Sequence, residues 1–169
     1  MFKDYLNLLR RTKKIKLLLT DVDGVWTNGH IYYGDDGNDI RQFHVHDGLG
    51  IKRLMEAGIE IAVVSSYFSK AVQRRCQQLG IKDIFLGVKD KEEVLEKLIK
   101  EKGYSKDELA YMGDDLPDAK LFKKVGVAIT VSNAPNEVKR KAHYVTMTRG
   151  GEGALREISD LILEIKGNG

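Results

Sequence analysis

Six short apolar runs, each stopped by polar or small residues, alternate with stretches of helical periodicity. No other feature constrains the fold as much. The runs are residues 15–20, IEIAVVSS, DIFLG, LAYM, VGVAIT and HYVT. Continuous apolar runs of this length suit strands buried on both faces. A helical stripe carrying Phe2, Tyr5, Leu6, Leu8 and Leu9 precedes the first run. LGIKRLMEAG reads as a helix stopped by Gly58, and AVQRRCQQL as one capped by Ser69 and ended by Gly80. DKEEVLEKLIKEKG is a charged amphipathic helix stopped by Gly103. LPDAKLFKKVG and APNEVKRKA are short helices, and ALREISDLILEIK closes the chain. Strand–helix alternation predicts an α/β fold with a mainly parallel sheet and helices on both faces. One segment breaks the pattern. IYYGDDGNDIRQFHV, within residues 25–45, reads as a protruding β-hairpin turned by Gly34 and Gly37.

The 169 residues predict one domain, residues 1–169, since domains cluster near ~100–150 residues. Basic residues number 28 and acidic residues 25, a net +3, and the two signs are interspersed. That balance does not argue for nucleic acid, and RTKKIK is too short to do so. No apolar run approaches the ~20 residues of a membrane span. MFKDYLNLLRRTKK lacks the order of charge, apolar core and small residues of a signal peptide. A single cysteine, Cys76 in a helical run, reads as a buried inert thiol and fits a reducing cytoplasmic compartment. His30, His44 and His143 have no spacing that suggests a metal site. Trp26, beside the first polar arrest, fits either a subunit interface or a ligand-facing position.

The polar arrests carry the chemistry. The first run gives Asp21 and Asp23, the second Ser65 and Ser66, the fourth Asp114, Asp115 and Asp118; Lys91 follows the third through GVKDK. In a parallel sheet these groups meet at one edge, where open α/β sheets bind ligands. Carboxylates forced together repel unless a cation neutralises them, and hard oxygen ligands suit Mg²⁺. One aspartate can attack phosphorus, a second can exchange the proton, and a hydroxyl and an ammonium can hold phosphoryl oxygens. Each group alone has an ordinary reading as a turn, a cap or a surface lysine. Their order, each after an apolar run, favours the site.

DVDGVWTNG, VVSS, GVKDK and GDDLPD together resemble the four ordered motifs of the haloacid dehalogenase-like (HAD) phosphohydrolases. GHIYYGDDGNDIRQFHVHDGLGIKRL, RCQQLGI, KAHYVT and GGEGALREISDLIL are similar to the 3-deoxy-D-manno-octulosonate 8-phosphate phosphatases, over about residues 15–166. The resemblance implies a Rossmannoid three-layer sandwich without a large cap domain. It implies a Mg²⁺-dependent phosphomonoester hydrolase working through an aspartyl-phosphate, in lipopolysaccharide precursor synthesis. Asp21 would be nucleophile and metal ligand. Asp23 would be the general acid/base and lend its backbone carbonyl to the metal. Ser65 would bind a phosphoryl oxygen, with Ser66 beside it, and Lys91 would neutralise nucleophile and phosphate. Asp114 would ligate Mg²⁺ directly and Asp118 would act on a metal-bound water. Asp47, Gly48 and Arg75 match substrate-facing positions. A homotetramer would supply the cover, with hairpins in a central barrel and a neighbour's C-terminal segment over the site. Gly150, Gly151 and Gly153 are expected to give a mobile tail loop.

Departures from the resemblance bear on substrate. Tyr67 and His46 stand where relatives carry Arg, and Glu152 stands where a second basic residue is usual. Arg binds carboxylates bidentately, which neither replacement reproduces. Phosphatases of another sugar acid, such as a nine-carbon sialic-acid-type 9-phosphate, or of a sugar phosphate are therefore the alternatives. A phospho-receiver module would place its phosphoacceptor after the third strand and would not need GDDLPD. A non-catalytic oligomerisation module would not need these groups at all.

Overall fold

A computed structural model describes residues 2–37 and 39–167. Strands β1 (Leu17–Thr20), β4 (Glu60–Ser65), β5 (Asp83–Leu86), β6 (Leu109–Met112), β7 (Val127–Thr130) and β8 (Tyr144–Val145) form one sheet in the order β5-β4-β1-β6-β7-β8. Every pairing in it is parallel. Leu17, Leu18 and Leu19 of the central strand are fully buried, as a strand covered on both faces requires. Truncating one of them to Ala would cost about 2–5 kcal/mol.

The helices are α1 (Phe2–Thr12), α2 (Val45–Glu56), α3 (Lys70–Leu79), α4 (Lys91–Lys102), α5 (Leu116–Ala119), α6 (Asn136–Lys139) and α7 (Ala154–Lys166). Their ends follow local chemistry. Ser69 accepts from the Val72 N–H, and Gly80 and Gly103 close α3 and α4 in left-handed conformation. Helix α7 packs on α2 and on α1, while α4 lies against β4 and α3 against β5. Cys76 is buried in α3, and burial pushes its thiol up to about 12, an inert group.

The antiparallel part is confined to the hairpin. Its strands β2 (Tyr32–Tyr33) and β3 (Asp39–Ile40) are two residues each, and Tyr33 and Ile40 are exposed. Gly37 donates back to Gly34 at 2.9 Å. Asn38 of the expected loop and the Phe2 side chain of the expected stripe lie outside the described residues. Helix α2 starts earlier than its apolar pattern predicts. HVHDG forms its first turn because His44 caps it, the imidazole Nδ1 accepting from the His46 N–H at 3.3 Å.

Candidate active site

The chain winds from β1 out to β5 and returns to β6 on the other flank of β1. The strand order therefore reverses at β1, the place where open sheets leave a crevice. Asp21 continues the ladder one residue past β1, its N–H donating to Met112 O at 2.9 Å. Asp114 lies two residues past the neighbouring β6. A pocket of about 320 Å³ opens there, lined by Asp21, Asp23, Ser65, Ser66, Tyr67, Lys91, Asp114, Asp115 and Asp118 among others.

Lys91, the first residue of α4, bridges two of these carboxylates. Its Nζ is 2.8 Å from Asp21 Oδ1 and 2.7 Å from Asp118 Oδ1. Asp118 also accepts from the Tyr111 hydroxyl at 2.7 Å on Oδ1. Its Oδ2 accepts the N–H groups of Asp114 at 3.1 Å and Asp115 at 3.3 Å. Four donors fill the four acceptor positions of a carboxylate, so Asp118 organises its neighbours. One of its oxygens nevertheless clusters with one each from Asp21 and Asp114, the three within 4.8 Å of one another. The backbone makes room for this. Gly24 has φ +87°, and a Cβ there would lie 2.0 Å from Asp114 Oδ2.

The electrostatics follow from crowding. Burial first, then the charge of Asp118, raise the Asp21 carboxyl despite Lys91. Burial, then Asp21, Asp118 and Asp115, push Asp114 up to about 7. Burial alone would lower the Lys91 ammonium, but Asp21 and Asp118 outweigh it and the group is raised. The corner thus holds more negative charge than its one lysine can offset.

Other expected residues sort differently. Ser65 is buried at the end of β4, its hydroxyl accepting from the Tyr67 N–H at 3.2 Å. Ser66 lines the pocket beside it. Asp47, Gly48 and Arg75 cluster with one another's elements but do not line the pocket. Asp47 Oδ1 instead accepts the Arg156 N–H at 2.8 Å and caps α7 from across the fold. Gly48 lets Arg75 pack against α2, since a Cβ there would lie 2.3 Å from Arg75 Nη2. His46 is exposed on α2, its ring 4.9 Å from that of His44.

Trp26 neither lines the pocket nor faces solvent. It is buried, and its Nε1 donates to Thr20 Oγ1 at 3.1 Å. The tail loop, expected to be mobile, packs here on the loop after β1. A Cβ on Gly150 would meet Gly24 O at 1.8 Å, and Gly151 N–H donates to Val25 O at 3.0 Å. Glu152 pairs loosely with Arg149 on the surface. Two residues at the site escaped the sequence reading. Tyr111 sits inside an apolar run and reads as core. Arg41, from the hairpin, places Nε 2.9 Å from Asp23 Oδ1.

Residues 82–158 match the family model of haloacid dehalogenase-like hydrolases. The chain is 44% identical to the 3-deoxy-D-manno-octulosonate 8-phosphate phosphatase of Haemophilus influenzae, over 94% of this chain and 88% of that one. It is 36% identical to the Escherichia coli K12 enzyme of the same name, over 95% of this chain and 86% of that one. The Yersinia pestis phosphatase of that name superposes with a TM-score of 0.94 at 36% identity, covering 96% of this chain and 88% of that one. The Moraxella catarrhalis phosphatase, in complex with magnesium ion, phosphate ion and KDO (3-deoxy-D-manno-octulosonate), superposes with a TM-score of 0.93 at 38% identity, covering 95% and 92%. This chain therefore belongs to the 3-deoxy-D-manno-octulosonate 8-phosphate phosphatase family, within the haloacid dehalogenase-like hydrolases.

Proposed function

We propose that the protein releases phosphate from 3-deoxy-D-manno-octulosonate 8-phosphate, in the cytoplasm, in lipopolysaccharide precursor synthesis. One observation carries the reading: Lys91 Nζ is shared between Asp21 and Asp118 in a buried corner that Asp114 also enters. A carboxylate so placed is oriented and stripped of water, as a nucleophile must be. An Asp21 oxygen attacks phosphorus and the bond to the sugar oxygen breaks. Asp23 protonates that leaving oxygen. Asp23 then takes a proton from water, whose oxygen attacks phosphorus and breaks the bond to Asp21. Ser65, Ser66 and Lys91 hold the phosphoryl oxygens as charge redistributes.

The residues fit Mg²⁺. Asp21 and Asp114, both raised first by burial and then by neighbouring carboxylates, are the unsaturated carboxylates of the cluster and would hold the ion, with the carbonyl of Asp23 as a third donor. The saturated oxygens of Asp118 favour contact through water. Bound Mg²⁺ supplies the positive charge that lets two anions, carboxylate and phosphate, approach each other. The substrate positions of the resemblance, Asp47, Gly48 and Arg75, lie outside the pocket of one chain.

The assembly in this reading is a homotetramer. Two-residue strands are marginal alone, and the hairpin exposes Tyr32, Tyr33 and Ile40. Pairing hairpins in a barrel would cover them, and a neighbour's C-terminal segment would close the pocket. A second reading, a phosphatase of another sugar acid or sugar phosphate, is favoured by Tyr67. It lines the pocket where relatives carry Arg, and the nearby Arg41 guanidinium is wholly buried.

A phosphate-release screen over sugar-acid and hexose phosphates, with and without Mg²⁺, tests both. The expected result is Mg²⁺-dependent turnover highest on the eight-carbon sugar-acid phosphate. Equal turnover on ordinary hexose phosphates would sink the specific substrate.

A further inference from the structure

We propose that Arg41 is a positioning residue: it holds Asp23 in the orientation that proton exchange needs, and Tyr67 fixes it there. The inference rests on the reading of Asp23 as the acid/base. Four observations support it. The Arg41 side chain has no exposed surface, yet it directly follows a two-residue strand at the rim of the site. Its Nε donates to Asp23 Oδ1 at 2.9 Å. Its Nη1 stands 3.0 Å from Asp39 Oδ2 on the hairpin itself. The Tyr67 ring lies over the guanidinium, 5.2 Å from Cζ to the ring centroid.

The geometry has a chemical consequence. An arginine cannot donate its proton away at neutral pH, so it holds a carboxylate without competing in the transfer. With Oδ1 tied to Nε, the exchanging proton is carried on Asp23 Oδ2. That oxygen gives the proton to the leaving sugar oxygen in the first half of the reaction. It receives one from water in the second. Arg41 touches neither reacting oxygen. The arrangement also has a cost: Arg41 Nη2 is buried with no partner among the described residues. Burying an unpaired donor is unfavourable, a cost that the hold on Asp23 offsets. The arrangement also gives Tyr67 a task other than substrate charge recognition. It closes the guanidinium off from water and ties the loop after β4 to the hairpin.

The test compares two leaving groups. Sugar phosphates expel an alkoxide and need protonation; p-nitrophenyl phosphate expels a stable phenolate and does not. Arg41→Met should lower kcat on the sugar-acid phosphate about 10²-fold, the scale of general acid–base catalysis, with KM nearly unchanged. On p-nitrophenyl phosphate the same variant should give a burst of one nitrophenolate per site and then slow turnover. The first half-reaction survives, and the second lacks an oriented base. Arg41→Lys keeps the buried charge, so it remains informative if Arg41→Met fails to fold. It should show the same signature with about a tenfold loss. Equal losses on both substrates without a burst, or no loss, in the variants that fold would overturn the proposal. Asp21→Asn is run alongside. If it still turns over, the reading of the site fails; if it is dead while Arg41 variants are unaffected, only this inference does.

Discussion

The two edges of the sheet carry the same four-part constellation with opposite outcomes. At the C-terminal edge Lys91 Nζ lies 2.8 Å from Asp21 and 2.7 Å from Asp118, and Tyr111 donates to Asp118. At the N-terminal edge Lys102 Nζ lies 2.5 Å from Glu60 and 2.9 Å from Asp83, and Tyr104 donates to Glu60 at 3.2 Å. The second set borders the larger depression, about 960 Å³, where Lys52 and Lys82 add further positive charge. Two differences separate them. The Lys91 side chain is 7% exposed and that of Lys102 23%. The C-terminal corner also holds Asp114, a third carboxylate against its one lysine. Accordingly the Lys102 hydrogen bond holds Glu60 below the usual carboxylate range, whereas burial and crowding raise Asp21 and Asp114. Wet and balanced, the constellation is a closed set that contributes stability. Dry and in acidic surplus, it is an open demand for a cation.

The sharpest way to break this contrast is at the nucleophile. Asp21→Asn should cut phosphate release at least ~10⁴-fold. It should not lower the melting temperature of the metal-free protein, because it removes one of several repelling buried carboxylates. A large loss of stability with retained activity would reverse the assignment of the two edges. The next effect is metal binding. Mg²⁺ at about 100-fold its Kd should stabilise the fold by about 2.7 kcal/mol. For a chain of this size that raises the melting temperature by roughly 5–10 °C. Chelation should remove both the shift and the activity. Asp114→Asn should abolish most of the shift in thermal melts, and Lys102→Met should leave it intact.

Much of the C-terminal edge was legible in the sequence, for a physical reason. Asp21 and Asp114 follow runs buried on both faces, Ser65 ends one, and Lys91 follows the edge strand β5, so their positions at one edge follow from strand parallelism. Local capping was equally legible at Ser69, Gly80 and Gly103. What escaped depends on contacts remote in the chain. Asp47 caps a helix 109 residues away, and no local pattern separates that from facing a ligand. Tyr111 lies within LAYM, where its hydroxyl reads as incidental to a buried strand. The start of α2 was missed because its cap is a histidine and its first residue, Val45, is exposed. Glycines in the tail read as freedom, whereas Gly150 is required by a backbone packed directly on it.

The smaller effects belong to the wet edge. Lys102→Met should leave phosphate release within about twofold and lower stability by about 1 kcal/mol, since partly exposed pairs each contribute only ~0.2–1 kcal/mol. The chemical melt of this variant should also lose part of its pH dependence, and Glu60→Gln isolates why. Glu60 is held below its ordinary value of 4.5 by Lys102. A carboxyl lowered in the fold stabilises when ionised. Its contribution is therefore present above pH 4.5 and is lost as the pH falls through the lower folded value. Lys102 is raised from 10.5, so its side of the pair is present below that pH and lost only on strong alkalisation. Between these limits wild type should exceed Glu60→Gln by a few tenths of a kcal/mol, discounted because the carboxylate is half-exposed and screened by water and salt. Below the lowered folded value of Glu60 the two should converge, and 1 M salt should shrink the gap at pH 7. If the gap instead widened on acidification, Glu60 would be behaving like the crowded carboxylates at the other edge, and the distinction between a balanced and a surplus cluster would fail.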